Sequence, residues 1–170
     1  EELGWESTWA NNFALRLGFL NRINFSFGAY YKRTSNMLMR VPESYTVTGE
    51  GYRWKNVGVM ANKGIELSAD GDIIRTRDFT WNVSANVSYN QNRLKELYNG
   101  VTEYVNSTTG LKYVVGHSVS EFYLNRYAGV NPANGEQLWY DKNGNITNEF
   151  REGDKVMTGK TYDAPWMGGF

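Results

Sequence analysis

From Thr80 to Asn90 the chain alternates without a break. Trp81, Val83, Ala85, Val87 and Tyr89 interleave with Thr80, Asn82, Ser84, Asn86, Ser88 and Asn90. Side chains on a strand point to opposite faces with a period of two, so this run has one apolar and one polar face. It is 11 residues long, the length a tilted strand needs for one pass through a bilayer (roughly 9–11). A second alternation precedes it: Ile65, Leu67 and Ala69 interleave with Gly64, Glu66, Ser68 and Asp70. The short charged turn Arg75-Thr76-Arg77-Asp78 joins the two. The fold must therefore accommodate long antiparallel strands that are apolar on one side only.

Two further runs obey the same rule. From Thr8 to Phe19 the odd positions Trp9, Phe13, Leu15, Leu17 and Phe19 are apolar, and the even ones include Asn12 and Arg16. After Leu20-Asn21-Arg22, Ile23, Phe25, Phe27, Ala29 and Tyr31 stand opposite Asn24, Ser26, Gly28, Tyr30 and Lys32. So short a link between two alternating runs predicts a β-hairpin. The expected strands are 8–19, 23–34, 57–74 and 79–92, with the start of another at 166–170. The expected loops are 35–56 and 93–165, where the alternation breaks down and turn clusters such as Asn131-Pro132-Ala133-Asn134-Gly135 appear.

The links are short at one end of this sheet and long at the other. Outer-membrane barrels have short periplasmic turns and long extracellular loops. Aromatics near the ends of the apolar faces (Trp9, Phe19, Tyr31, Phe79, Tyr89) suit the girdles at two membrane interfaces. The fold class read from the pattern is all-β, an antiparallel transmembrane β-barrel segment. Composition narrows the alternatives. The 18 basic and 18 acidic residues cancel and form no single-sign run, which removes the electrostatic basis for nucleic-acid binding. No apolar run approaches the roughly 20 residues of a spanning helix. The opening EELGWEST has no apolar leader, as in a mature or excised segment. A length of 170 residues suggests one domain.

Candidate chemistry is sparse. With no cysteine and one histidine, His117 in Gly116-His117-Ser118, neither nucleophilic catalysis nor a zinc site has its ligands, and His117 reads as a surface loop residue. Glu66, Asp70 and Asp72 share a strand face, where paired carboxylates could cleave glycosides; on a barrel strand that face is the polar lumen, and acids are ordinary there. Asp141, Asn143 and Asn145 echo the start of a calcium loop, with Glu152 at the bidentate position. Ile146 stands where that loop needs glycine, so a plain hairpin turn is the better reading. No cofactor, metal or catalytic residue is expected.

Several segments resemble one family. Leu3-Gly4-Trp5-Glu6 and Tyr30-Tyr31-Lys32-Arg33-Thr34-Ser35-Asn36-Met37-Leu38 are similar to the "LGWE…YYKKTSDLL" segment of SusC/RagA-type TonB-linked outer-membrane transporters. Asn56-Val57-Gly58 and Asn62-Lys63-Gly64-Ile65-Glu66-Leu67 resemble "NVG…NKGIEL". Asp78-Phe79-Thr80-Trp81-Asn82 with Tyr89-Asn90-Gln91-Asn92 resembles "DFSWN…YNKN". Tyr127-Ala128-Gly129-Val130-Asn131-Pro132, Gly135 to Asp141 and Pro165 to Phe170 look like "YAGVDP", "GDPLYYD" and "PxxxGGF". Each motif is short, but together they cover almost the whole chain in the family's order. His117-Ser118 and Leu124-Asn125 depart from the family pattern.

The resemblance implies a portion of a plugged barrel of about 22 strands, without the plug domain and TonB box in these residues. It implies an importer of oligosaccharides or peptides across a bacterial outer membrane, a SusD-like surface lipoprotein as lid, and energy from a TonB-ExbB-ExbD complex. In such a wall, Phe13, Leu15, Leu17, Phe25, Phe27, Ile65, Leu67, Val83, Ala85 and Val87 are expected to face outer-membrane lipid. Asn12, Arg16, Asn24, Ser26, Glu66, Asp70, Asn82 and Asn86 are expected to face the lumen. Two other readings fit the alternation: a complete small outer-membrane β-barrel with an adhesin or structural role, and a soluble β-sandwich that binds carbohydrate.

Overall fold

The computed structural model describes residues 3–106 and 110–170. The first two residues of the opening loop and residues 107–109 of the long 93–165 loop lie outside the described residues. In chain order the strands are β1 (Ser7–Phe19), β2 (Ile23–Ser35), β3 (Leu38–Pro42), β4 (Tyr52–Asn56), β5 (Val59–Arg75) and β6 (Thr80–Glu96). They continue as β7 (Glu103–Val105), β8 (Lys112–Val114), β9 (Glu121–Leu124), β10 (Arg126–Val130), β11 (Gln137–Tyr140), β12 (Ile146–Thr147), β13 (Val156–Thr161) and β14 (Trp166–Gly169). A single helical turn, α1 (Tyr45–Thr48), caps the β3–β4 hairpin. No helix among the described residues is long and apolar enough to cross a membrane.

The alternating runs form one antiparallel sheet in the order β1-β2-β5-β6-β14. Its register aligns the apolar positions of all the strands. Leu15 lies opposite Phe27, Phe27 opposite Leu67, and Leu67 opposite Val87. One row further from the loops, Leu17, Phe25, Ala69 and Ala85 line up in the same way. Residues directly opposite share a face, so one side of the sheet is a continuous apolar surface. Much of it is exposed, from Phe13 at 59% to Val83 at 37%. A second sheet would have to cover it in a sandwich, and these exposures show that none of the smaller sheets does so. A small closed barrel is not met either, since the sheet is open along β1 and β14.

Turn chemistry sets both tight links. Leu20 and Asn21 take left-handed backbone angles (φ 55° and 52°), as primed hairpin turns require, and the Arg22 amide donates to the Phe19 carbonyl at 3.1 Å. At the other link, the Thr76 amide donates to the Phe79 carbonyl (2.8 Å) while the Phe79 amide donates to the Thr76 hydroxyl (3.0 Å).

The structure departs from the predicted elements in the loops. Residues 35–56 carry a hairpin, β3–β4, and residues 93–165 carry β7 to β13 in small two- and three-stranded sheets. β6 runs on to Glu96 because the loop pairs with it: the Leu94 amide donates to the His117 carbonyl and the Gly116 amide to the Leu94 carbonyl, both 2.8 Å. A bulge between Val59 and Met60 brings Leu94 against Met60. The buried apolar core is small and lies at this end, in Val41, Val59, Ala61, Leu94 and Leu97.

Candidate functional site

The polar face of the sheet is a connected surface. Arg16, Ser26, Ser68 and Asn86 form one row, and Asn24, Asp70 and Ser84 the next. Asn24 donates to the Asp70 carboxylate (2.9 Å), and Asn82 donates to Asp72 (3.2 Å), which also meets Arg75 at 3.7 Å. Asp70 and Asp72 are thus each held by an asparagine of a neighbouring strand, not aimed at each other as a hydrolytic pair. The register puts all eight polar positions expected to face the lumen on this side, Asn12 and Glu66 included. It puts all ten positions expected to face lipid on the other.

One polar-face assembly was not visible in the alternation. Gly64 lies between Tyr30 on β2 and Asn90 on β6. The Tyr30 ring lies over the glycine, where an added Cβ would sit 2.5 Å from it. The Tyr30 hydroxyl reaches past to donate to the Asn90 side chain at 2.6 Å. An aromatic covering a strand glycine packs the gap that the missing side chain leaves. This accounts for the tyrosine of Tyr30-Tyr31, the glycine of Asn62-Lys63-Gly64 and the asparagine of Tyr89-Asn90 together.

On the long-loop side, buried or half-buried side-chain amides tie the excursions to the strands. Asn92 donates to Asn62 (2.8 Å) and accepts from the Val119 amide (3.0 Å) and the Ser118 hydroxyl (3.2 Å). Asn56 donates to the carbonyls of Gly4 (2.8 Å) and Asn36 (3.0 Å) and accepts the Gly4 amide (2.7 Å). Glu6 accepts the Leu38 amide at 2.8 Å. Gly4 and Glu6 of the Leu-Gly-Trp-Glu segment are therefore the clasp that seats the chain's opening residues on the β3–β4 hairpin. His117, expected as a surface loop residue, lies in a loop and pairs through Nδ1 with the buried Glu121 carboxylate at 2.9 Å, and Glu121 also accepts the Gly159 amide (2.7 Å). A cavity of about 330 Å³ lies beside them, lined among others by Asn90, Asn92, Thr161 and Asp163.

Aromatic pairs mark the same end. Trp9 meets Tyr31 edge-on with centroids 6.0 Å apart, and Tyr89 meets Trp166 at 4.7 Å. In the loops Trp139 packs between Tyr127 (5.4 Å) and Phe150 (5.0 Å). The Asp141 turn is held by hydrogen bonds into the carboxylate: the Asn143 and Asn145 amides donate to Oδ1 (both 2.8 Å) and the Asn145 side chain donates to Oδ2 (3.0 Å). Asn145 thus turns its NH2 toward Asp141, and Glu152 pairs with Lys155. These are the bonds of a side-chain-capped turn, and they hold the Asp141 carboxyl below its ordinary pKa, the Asn145 side chain contributing most.

A sheet apolar on one face and polar on the other, with tight turns at one end and structured excursions at the other, is the wall of a transmembrane β-barrel. Comparison with known proteins specifies which. The sequence model of the family described as "TonB dependent receptor-like, beta-barrel" matches residues 1–166, and the chain belongs to that family. The family is one of outer-membrane transporters and not of enzymes. The "TonB-dependent receptor SusC" of Bacteroides thetaiotaomicron is 32% identical over 183 aligned residues, which cover 99% of this chain and 18% of SusC. A TonB-dependent receptor of Formosa agariphila is 35% identical over 130 residues, 76% of this chain and 12% of its own length. The solved RagAB peptide transporter superposes with a TM-score of 0.82 at 32% identity, covering 97% of this chain and 19% of that one. The RagAB peptide importer in its "open-open" state gives 0.85 at 31% identity. The chain thus spans less than a fifth of the length of these relatives, and it is of the SusC/RagA type.

Proposed function

We propose that these residues form part of the wall and mouth of a TonB-dependent importer that takes oligosaccharides or peptides across a bacterial outer membrane. The observation that carries this is the register, which gathers ten apolar alternate positions on one face and eight polar ones on the other across the four neighbouring strands β1, β2, β5 and β6. The apolar face, with Phe13, Leu15, Leu17, Phe25, Phe27, Ile65, Leu67, Val83, Ala85 and Val87, meets lipid. The polar face, with Asn12, Arg16, Asn24, Ser26, Glu66, Asp70, Asn82 and Asn86, meets the lumen or a plug within it. The tight turns at 20–22 and 76–79 lie in the periplasm, and β3–β4 and residues 97–165 lie outside the cell.

Strands β1 and β14 pair with further strands of the complete barrel, because a bilayer offers no partner for open backbone edges. The mouth meets a SusD-like surface lipoprotein, and the energised step is driven by a TonB-ExbB-ExbD complex acting on other parts of the protein. The test is uptake by the native host. Deleting the gene should abolish growth on one class of oligosaccharide or peptide, and deleting TonB should give the same defect. Unchanged uptake of both classes in the gene deletion would refute the reading.

A further inference from the structure

Charge on the apolar face of the sheet is confined to one end. Along the outward positions of β1, β2, β5 and β6 the charged residues are Arg33, Lys63, Arg93 and, at the last pair, Glu96. The register puts Trp9, Arg33, Ala61 and Arg93 in one row, and Asn11, Tyr31, Lys63 and Gln91 in the row beneath. Tyr89 and Trp166 lie one row lower still, beside Ile65. With strands about 5 Å apart and rows about 7 Å apart, the three basic Cα atoms stand about 8–10 Å from one another. Long side chains can converge across such a triangle.

The contacts of these residues leave their charge available. Lys63 is exposed and, among the described residues, has no hydrogen-bond or ion-pair partner. Arg33 meets Glu96 at 3.6 Å with both side chains exposed, and a pair so loose and so wet contributes little. Arg93 donates to the Gly116 carbonyl, which steadies the side chain without neutralising it.

From this arrangement we propose that the triangle of Arg33, Lys63 and Arg93 binds the phosphate of a lipid headgroup in the outer leaflet around the barrel. The inference rests on the importer reading, which turns this face to lipid and this end to the cell exterior. The level of the site fits a headgroup, because the aromatics Trp9, Tyr31, Tyr89 and Trp166 share its rows or the one beneath, and such rings sit at membrane interfaces. The chemistry fits a phosphate. A guanidinium offers paired donors that match phosphate oxygens, and an ammonium adds a point charge. Basic side chains run their apolar stems along the sheet and carry the charge to its edge. Placement also separates this cluster from ordinary surface polarity. The opposite end of the same face, with Phe19, Ile23, Ile74 and Trp81, has no charged strand position.

The experiment uses the complete native protein in non-ionic detergent, with whatever lipoprotein accompanies it. The probes are fluorescent lipid A carrying its phosphates and the same lipid A stripped of them. The phosphorylated probe should bind at least tenfold more tightly, and Arg33→Gln or Lys63→Gln should each weaken it about fivefold. Neither change should affect the stripped probe. Glu96→Gln, which releases Arg33, should tighten the phosphorylated one. Lys32→Gln removes the same charge one residue away, on the polar face where the ammonium lies 5.5 Å from the Tyr30 ring, and should leave both probes unchanged. Heat-modifiable gel migration identifies the variants that assemble. The proposal is overturned if the two probes bind alike, if the assembled Arg33→Gln, Lys63→Gln double variant keeps the preference, or if Lys32→Gln loses it equally. Displacement of the probe by inorganic phosphate at equal concentration would make this a site for a free anion and overturn it too. Uptake in cells separates this from the broader reading: a transport defect in the gene deletion, with no phosphate preference in binding, leaves the importer standing and removes the lipid site.

Discussion

Single residues carry more of this architecture than their size suggests. Gly64 has no room for a methyl group, with the Tyr30 ring and the Tyr89 carbonyl oxygen each 2.5 Å from where a Cβ would stand. Gly64→Ala should therefore cost about 1–3 kcal/mol, the usual range for overpacking. Combined with Tyr30→Ala it should cost less than the sum of the two changes, since the clash is shared; urea unfolding of the assembled barrel measures both. Asp141 gives a pH dependence whose sign follows from its bonds. Its folded-state pKa lies below the ordinary 3.8, so it stabilises the turn fully above that value and loses this as the pH falls through the lower folded value. Hydrogen exchange at Asn143 and Asn145 should accelerate on acidification beyond the normal pH trend, and Asp141→Ala should remove the extra acceleration.

At the level of elements, the strands were legible because one sequence property, alternation, answers to one physical cause, two different solvents on two faces. Their ends were not. β6 continues past Asn92 although Arg93-Leu94-Lys95-Glu96 does not alternate as the preceding run does, because it keeps its pairing with β5 and gains Gly116 and His117, far away in sequence, on its other side. The β3–β4 hairpin was hidden in what reads as loop, since its ladder is only five pairs long and Asn56 and Glu6 tie it to other segments. The resemblance located such residues without explaining them; the clasp on Gly4 and the cover over Gly64 supply the reason. The two-solvent argument makes a sharp prediction. Leu15→Arg or Val83→Arg should cost roughly 2–4 kcal/mol near mid-membrane and reduce assembly. Asn82→Arg, one residue from Val83 but on the polar face, should be mild. Heat-modifiable migration of outer-membrane fractions reads the difference, and equal tolerance at all three would reject the assignment of faces.

For the molecule as a whole the open edges dominate. Among the described residues no strand pairs with the outer side of the 13-residue β1, and such edges seek other strands. Residues 1–170 expressed alone should aggregate through strand pairing even in detergent, visible as an intermolecular β-sheet band in infrared spectra; a monodisperse monomer would contradict this. The same chain must assemble correctly within a far larger barrel, and there the Tyr30–Asn90 bond acquires a second meaning. It joins residues 60 apart in sequence, on strands that do not touch, and it forms only when β5 lies between them with glycine at that level. A slip of β5 by two residues would preserve the apolar and polar faces, so hydrophobicity alone would not detect it. That slip would bring Asn62 or Glu66 beneath the ring, and the bond could not close. The contact works as a proofreading step: it tests the alignment of three strands at once, and it rejects the error that the membrane itself would accept.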